Sequence, residues 1–347
     1  MTDTINMTPP TLCYYKTAQE LKLPVKLLPG IGGFSITLGS QFYCILRAIV
    51  PFNTLSNVQI VGNKFRMNAL LTRRGFPRPK TTGATKQMYE NNMLNLSNID
   101  FPVVAKPTVG TDGGEGVNCN IKTEALLRQY LDKLYQNYDP VLIESFHDNL
   151  NSYRVLMFYG KVLAVAQRIP AFVIGDGIQS VSALIDLKNK HRAKDMPCSP
   201  DGLVMKNEDC QTKLREQGLS LDSILLKNET ITVCYTCNLA RGGTTKACNQ
   251  LICKSNISLL QKASKVLGLD LIGFDVLCEN IAVPLSQSKG IILEANSYPD
   301  ITMHEYPSSG EPTHVSKIIL RKLIYRHPIS YCWHRLKSKL AFTQTKN

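Results

Sequence analysis

Residues 290–304 read GIILEANSYPDITMH. The run opens as an apolar strand, turns polar at Glu294 and Asn296, and meets a turn at Tyr298-Pro299. Positions two apart on a strand share a face, so Glu294 and Asn296 point the same way. Just upstream, LIGFDVLCEN (271–280) reads as another strand with Asp275 near its middle. An antiparallel pairing of the two strands brings Asp275 across from Glu294 and Asn296. Two carboxylates and an amide make a hard-oxygen site of the kind Mg2+ favours, because that ion takes carboxylate and carbonyl oxygens and keeps water or phosphate in its remaining positions. By itself an E-x-N pair is common surface decoration, so the rest of the chain has to supply the partners of such a site.

Those partners are cations and a glycine loop. FPVVAKP (101–107) is a buried-looking strand carrying Lys106, and Gly110, Gly113, Gly114 and Gly116 follow within ten residues of it. Free amides in such a loop can fold over a polyphosphate; the plain alternative is a flexible hairpin after an edge strand. Lys64, at the head of a helical stretch from Asn63 to Arg74, is a second candidate cation. Around these, Pro, Gly and Asn clusters cut the chain into short helices and strands in alternation. They include a helix over about 123–135, the strand VLIESF (141–146), a hairpin of YRVLMF and KVLAVAQRI joined at Tyr159-Gly160, and the helix NISLLQKASKVLGL (256–269). The expected class is α+β (α/β mixed), with a mixed sheet and polar residues at strand ends.

Composition agrees with a globular chain. Its 347 residues are 44 % hydrophobic and 19 % charged, with 22 Gly and 18 Pro, which excludes a disordered, collagenous or coiled-coil protein. The longest apolar stretch, around Phe42 to Phe52, is broken by Arg47 and is too short to span a bilayer, and the N-terminus has no secretory pattern. A cytoplasmic location and reduced thiols are the expectation.

With these residues in view, the chain resembles the ATP-grasp ligases, and is similar to the ATP-grasp module of cyanophycin synthetases and of the fused bacterial glutathione synthetases. The matching runs, in family order from about residue 34 to 320, are VGNKFRMNALLTRRGFPRP, FPVVAKP with its glycine loop, VLIESF, VIGDGIQSVSALIDLKN, LREQGLSLDSIL, NLARGG, LIGFDV and IILEANSYPDITMHEYPSSGEP. The resemblance implies two α+β subdomains holding ATP between them. The expected divisions are an abbreviated N-terminal segment (1–60), an N-terminal grasp subdomain with the glycine loop (61–146), a C-terminal subdomain with the metal site (147–325) and a basic tail (326–347).

The same resemblance implies that Lys64, Lys106 and the loop from Gly110 to Gly116 bind ATP phosphates. It implies that Glu144, Ser145 and Phe146 form the adenine hinge, and that Asp275, Glu294 and Asn296 bind Mg2+, with Mn2+ as an alternative. The chemistry implied is attack of a substrate carboxylate on the γ-phosphate, followed by displacement of the acyl phosphate by an amine, with amino acids or short peptides as substrates. Arg154, Arg168 and Arg241 are candidates for holding the carboxylate, the acyl phosphate or the tetrahedral intermediate, since a guanidinium matches planar oxyanions. Arg241 precedes Gly242-Gly243-Thr244, whose amides suit an anion nest. His304 matches the family's M-H pair and orients substrate or is a structural histidine. A carboxylate-thiol ligase or phosphotransferase on the same apparatus, and a degenerate ATP-binding scaffold, are the competing readings. Oligomerisation is expected only by analogy with relatives.

The chain departs from the family in several places. Asn151 stands where relatives have an acidic ribose contact, the glycine loop carries Asp112 and Glu115, and VCYTC precedes NLARGG where cyanophycin synthetases tend to have arginine and asparagine. The last of these implies a different amino-acid substrate. Cys234, Cys237, Cys248 and Cys253 are weighed as a zinc set against two ordinary pairs of core thiols.

The net charge of +13 is uneven: after Glu311 there are eight Lys and Arg and no acid, leaving +5 on the preceding residues. That remainder is modest, and with one Trp and no basic-aromatic interleaving outside the tail, nucleic acid is not an expected partner. In the tail, Ile329, Cys332, Trp333, Leu336 and Leu340 fit one amphipathic stretch, read either as a docked terminal helix or as contact with a membrane surface or acidic partner.

Overall fold

A computed structural model describes residues 7–108, 116–195 and 202–344. Its elements run as α1 (Pro9–Glu20), β1 (Val25–Leu28), β2 (Gly33–Leu38), β3 (Gln41–Leu46), α2 (Leu55–Gly62), α3 (Lys64–Arg73), β4 (Thr81–Ala84), α4 (Lys86–Glu90), β5 (Val103–Pro107), β6 (Asn118–Ile121), α5 (Glu124–Leu134) and β7 (Val141–Ser145). They continue as β8 (Asn151–Phe158), β9 (Lys161–Ile169), β10 (Phe172–Ile174), α6 (Val181–Asp195), α7 (Glu208–Glu216), β11 (Thr230–Thr232), β12 (Thr244–Ala247), α8 (Lys254–Leu267), β13 (Leu271–Cys278), β14 (Ile291–Asn296), α9 (Thr302–Glu305), α10 (Val315–Arg326) and α11 (Pro328–Gln344).

The strands form four sheets, in the orders β1-β2-β3, β4-β7-β5-β6, β12-β9-β8-β13-β14 and β10-β11. Every ladder between these strands is antiparallel, so the mixed sheet expected from the alternation is not what forms. The reason is local. β8 turns directly into β9 through Tyr159 and Gly160, both at positive φ, and a two-residue turn of that kind joins only antiparallel neighbours.

Helix ends carry their own signals. Asn63 caps α3 by accepting from the amide of Arg66, and Thr123 caps α5 by accepting from Leu126, with Glu124 in the first turn and Lys133 in the last. Leu127, Leu131 and Leu134 of α5 are buried against the β4–β7 sheet, each contributing roughly 1.5–3 kcal/mol. Gly268 closes α8 at φ +65, a left-handed cap that a side chain would strain.

Four apolar cores hold these pieces. One joins α2, α3 and α8 to the five-stranded sheet through Val61, Met67, Leu71, Leu260 and Phe274. A second joins α1 and the β1–β3 sheet to α10 and to the far ends of β8 and β13, so the N-terminal residues pack directly onto the C-terminal sheet. The third fills the unit of β10, β11, α6 and α7, and the fourth lies under the β4–β7 sheet. The β4–β7 sheet and the five-stranded sheet face one cavity, where the candidate site lies.

Candidate active site

Strand register builds one wall. Asp275 on β13 pairs across from Glu294 on β14 and from Arg154 on β8, while Arg168 on β9 pairs with Ser152 on β8. Directly opposite residues share a face, so Glu294, Asp275 and Arg154 form a row, with Asn296 and Arg168 on the same side two residues along their strands. Arg154 donates through Nε to Asp275 Oδ1 and through Nη2 to Oδ2 at 3.4 Å. Arg168 Nη2 lies 3.0 Å from the same Oδ2, and its Nε and Nη2 donate to Ser152 Oγ at 3.2 and 2.9 Å. Burial pushes the Asp275 carboxyl up, but the two guanidiniums together outweigh it and hold the group below the usual aspartate range. The two guanidiniums on this wall are matched by the Asp275 and Glu294 carboxylates, so it presents both signs of charge to the cleft.

The facing wall comes from β5 and β7. Lys106 Nζ sits 2.5 Å from Glu144 Oε1, both side chains buried. Lys64, at the start of α3, spans the gap with Nζ 3.5 Å from Glu294 Oε1. The cavity between the walls is about 740 Å³ and is lined by Lys64, Lys106, Glu144, Ser145, Phe146, Asn151, Arg154, Arg168, Asp275, Glu294 and Asn296. Three buried polar atoms on its lining, Glu144 Oε2, His147 Nε2 and Thr236 Oγ1, have no hydrogen-bond partner among the described residues. Such groups are costly unless something supplies the missing bond.

Other expected residues lie elsewhere. His304, on the short α9, is 3 % exposed and does not line the cavity; burial, assisted by the Arg154 charge, lowers its pKa to about 3, so the ring is neutral. Arg241 is also outside the lining, and its charge acts on Asp209 and Tyr130. The nest expected after it does not form: the amide of Gly242 donates to Leu239 O and that of Gly243 to Asn238 O, so neither is free for an anion. The Arg192 guanidinium holds this turn instead, donating to the carbonyls of Gly202, Leu239, Gly242 and Gly243. Gly110, Gly113 and Gly114, with Asp112 and Glu115, lie outside the described residues. Gly116 is described, at φ +64 against Pro107, and is not part of the lining.

Asn151, the substitute for the acidic ribose contact, donates its side-chain amide to Glu279 O and accepts from Gln167. The amides of Ser145 and Phe146, expected to form the adenine hinge, are bonded to Lys80 O and Pro102 O. The cysteines do not converge on a metal. Cys234 is buried in the β10–β11 unit and Cys248 in the α8 core, and no group of three or more His, Cys, Asp or Glu able to hold a metal occurs among the described residues. The Asp275, Glu294, Asn296 set contains only two such residues and an amide.

Sequence reasoning missed several lining residues: Cys119, His147, Lys213 and Tyr235. Tyr235 meets the Phe146 ring edge to face at 6.1 Å and carries Lys213 Nζ 4.6 Å above its own ring, so it joins the end of β7 to α7 at the cleft. The unusual VCYTC run marked the neighbourhood without naming the residue. His147 had no signal beyond lying three positions after Glu144.

This arrangement is the ATP-grasp fold: an antiparallel sheet bearing Lys106 and Glu144, another bearing the acidic and arginine row, and a cleft between them. The chain is 30 % identical over 324 residues to the cyanophycin synthetase of Synechocystis sp., covering 91 % of this chain and 36 % of that protein. It is 26 % identical over 271 residues to the glutathione biosynthesis bifunctional protein of Pasteurella multocida, covering 76 % and 35 %. The crystal structure of the bifunctional glutathione synthetase from Pasteurella multocida superposes with a TM-score of 0.62 at 22 % identity, over 92 % of this chain and 44 % of that one. The chain spans little more than a third of the length of these curated relatives. No protein-family model matches it. Among the described residues no helix is long and apolar enough to cross a membrane.

Proposed function

We propose that the chain is an ATP-dependent carboxylate-amine ligase acting on amino acids or short peptides. The observation that carries this reading is the single cleft in which Lys64 and Lys106 face the Glu294, Asp275, Arg154 row. ATP fits the residues present. The unpartnered Glu144 Oε2, His147 Nε2 and Thr236 Oγ1 offer it hydrogen bonds, Val104, Leu277 and Leu293 offer apolar surface to a purine, and the lysines offer charge to its phosphates. Asp275, Glu294 and Asn296 would hold Mg2+, since carboxylate oxygens bonded to arginine keep further lone pairs. When bound, that ion neutralises charge on the phosphoryl oxygens.

In the reaction a substrate carboxylate oxygen bonds to the γ-phosphorus as the bridging oxygen to ADP leaves, and the resulting acyl phosphate loses phosphate to an amine, which gives up a proton. The protein's share is positioning and charge. Lys64 and Lys106 bear on the transferring group, and Arg154 and Arg168 bear on the carboxylate and then on the tetrahedral oxyanion. Both guanidiniums are held by Asp275, so their positions are set before substrate arrives. The test is ADP and phosphate release with Mg-ATP against amino acids and dipeptides, singly and in pairs, with mass spectrometry of the products. A pair-dependent product at the summed mass less water is expected. ATP binding without turnover for any pair overturns the ligase reading in favour of a scaffold.

A further inference from the structure

The basic tail is not used by the cleft, and the fold gives it a defined orientation. Among the described side chains, α11 docks through one face. His327, just before it, shares a 2.6 Å hydrogen bond with Tyr43 on β3, and the Tyr331 hydroxyl donates to Leu21 O at 2.8 Å. The opposite face carries Ile329, Trp333, Leu336 and Leu340, which are 84, 59, 54 and 60 % exposed. Their 4-3-4 spacing confines them to about 60° of arc on a helix turning about 100° per residue, so they form one continuous apolar stripe pointing away from the body. Isolated exposed leucines are ordinary; four large apolar side chains in line on a docked helix, one of them Trp, are not.

Charge identifies what covers the stripe. From residue 312 to 347 the chain has eight Lys and Arg and no Asp or Glu. Lys337 lies beside the stripe, with Nζ 5.3 Å from the Trp333 ring centroid. A second copy of the same helix would bring like charges together across the contact, which disfavours self-pairing. An anionic bilayer surface accepts both features: Trp and leucine enter the headgroup boundary while lysine and arginine meet phosphate. We infer that α11 is a peripheral docking helix for anionic phospholipid surfaces, lying in the interface on its Ile329–Trp333–Leu336–Leu340 face and leaving the cleft on the body of the protein. This inference is independent of the ligase reading.

Trp333 is the chain's one tryptophan, so its emission reports on this helix alone. The full chain is titrated with vesicles of phosphatidylglycerol and phosphatidylcholine in equal parts, and with phosphatidylcholine alone, following Trp333 emission and co-sedimentation. A blue shift and co-sedimentation with the anionic vesicles, weakened by high salt and much smaller with neutral ones, are expected. Lys337→Gln should weaken partitioning about fivefold. Ile329→Glu combined with Leu336→Glu should abolish the blue shift and the sedimentation while leaving the melting temperature unchanged, because both sites are exposed. No shift with anionic vesicles overturns the inference. So does a shift that depends on protein concentration without lipid, which would identify a second copy as the occupant, or equal binding by the doubly acidic variant.

Discussion

Arg168 Nη2 lies 3.0 Å from Asp275 Oδ2, and Arg154 grips the same carboxylate from the neighbouring strand, so the acid that register sets opposite Glu294 anchors two cations, one buried and one partly buried. Removing that charge strands both guanidiniums. Asp275→Asn is expected to lose roughly 3–5 kcal/mol in urea denaturation. Glu294→Gln, at a half-buried side chain paired among the described residues with Lys64, is expected to change stability by less than about 1 kcal/mol while abolishing turnover. A wild-type denaturation midpoint for Asp275→Asn would contradict the anchoring role, and wild-type turnover by folded Glu294→Gln the metal role.

The Lys106–Glu144 pair makes a separable case. Lys106→Met leaves Glu144 buried without its cation, and should cost roughly 3–5 kcal/mol together with ATP affinity. Lys106→Met with Glu144→Leu should recover most of the stability, because an apolar pair replaces an ionic one at little net cost. ATP affinity by calorimetry should stay low in the double variant. Recovery of both would place the pair outside nucleotide binding.

Arg192 supports the 239–243 turn with bonds to three of its carbonyls and ties it to a fourth, that of Gly202. Arg192→Met is expected to destabilise the protein by roughly 3 kcal/mol, since each carbonyl loses a charged donor. Arg192→Lys should rescue little, because one ammonium cannot reproduce the planar fork. Hydrogen exchange of the Gly242 and Gly243 amides measures the effect locally, and unchanged protection in Arg192→Met would refute it.

His304 sets an acid limb. Its folded pKa is lowered to about 3 by burial, first, and by Arg154, against an unfolded value near 6.5. Between those values the unfolded chain binds the proton and the folded one does not, so stability rises with pH and is complete above about 6.5. His147, also held low by burial, adds a slope of the same sign. His304→Asn should flatten the loss of stability between pH 7 and pH 4.5, read from urea midpoints at the two values. An unaltered slope would show that His304 binds its proton equally in the folded and unfolded chain, so that its folded pKa is not lowered.

Local signals carried far along this chain. The Asn63 and Thr123 caps, the positive-φ turn at Tyr159-Gly160, and the strand alternation around Asp275 and Glu294 each act within a few residues, so they are readable in sequence and reappear in the fold. The antiparallel facing of Asp275 and Glu294 was legible for the same reason, because period-two alternation and a shared strand end specify it. The nest after Arg241 was not legible, because the partners of the Gly242 and Gly243 amides depend on a turn whose shape Arg192 imposes from a helix some 50 residues earlier.

What the sequence alone determined is therefore the set of elements and the chemical inventory: two lysines, a hinge glutamate, three oxygen donors and several arginines in a recognisable order. Only the tertiary structure decided their partners. It joined Lys106 to Glu144 and both arginines to Asp275, withdrew His304 into the core, added His147 and Tyr235 to the cleft, and turned the apolar side of α11 outward. The physical reason is that propensity and periodicity are properties of neighbouring residues. Ion pairing, desolvation and the exposure of a helix face depend on which distant surfaces meet, and no short window of sequence contains that information.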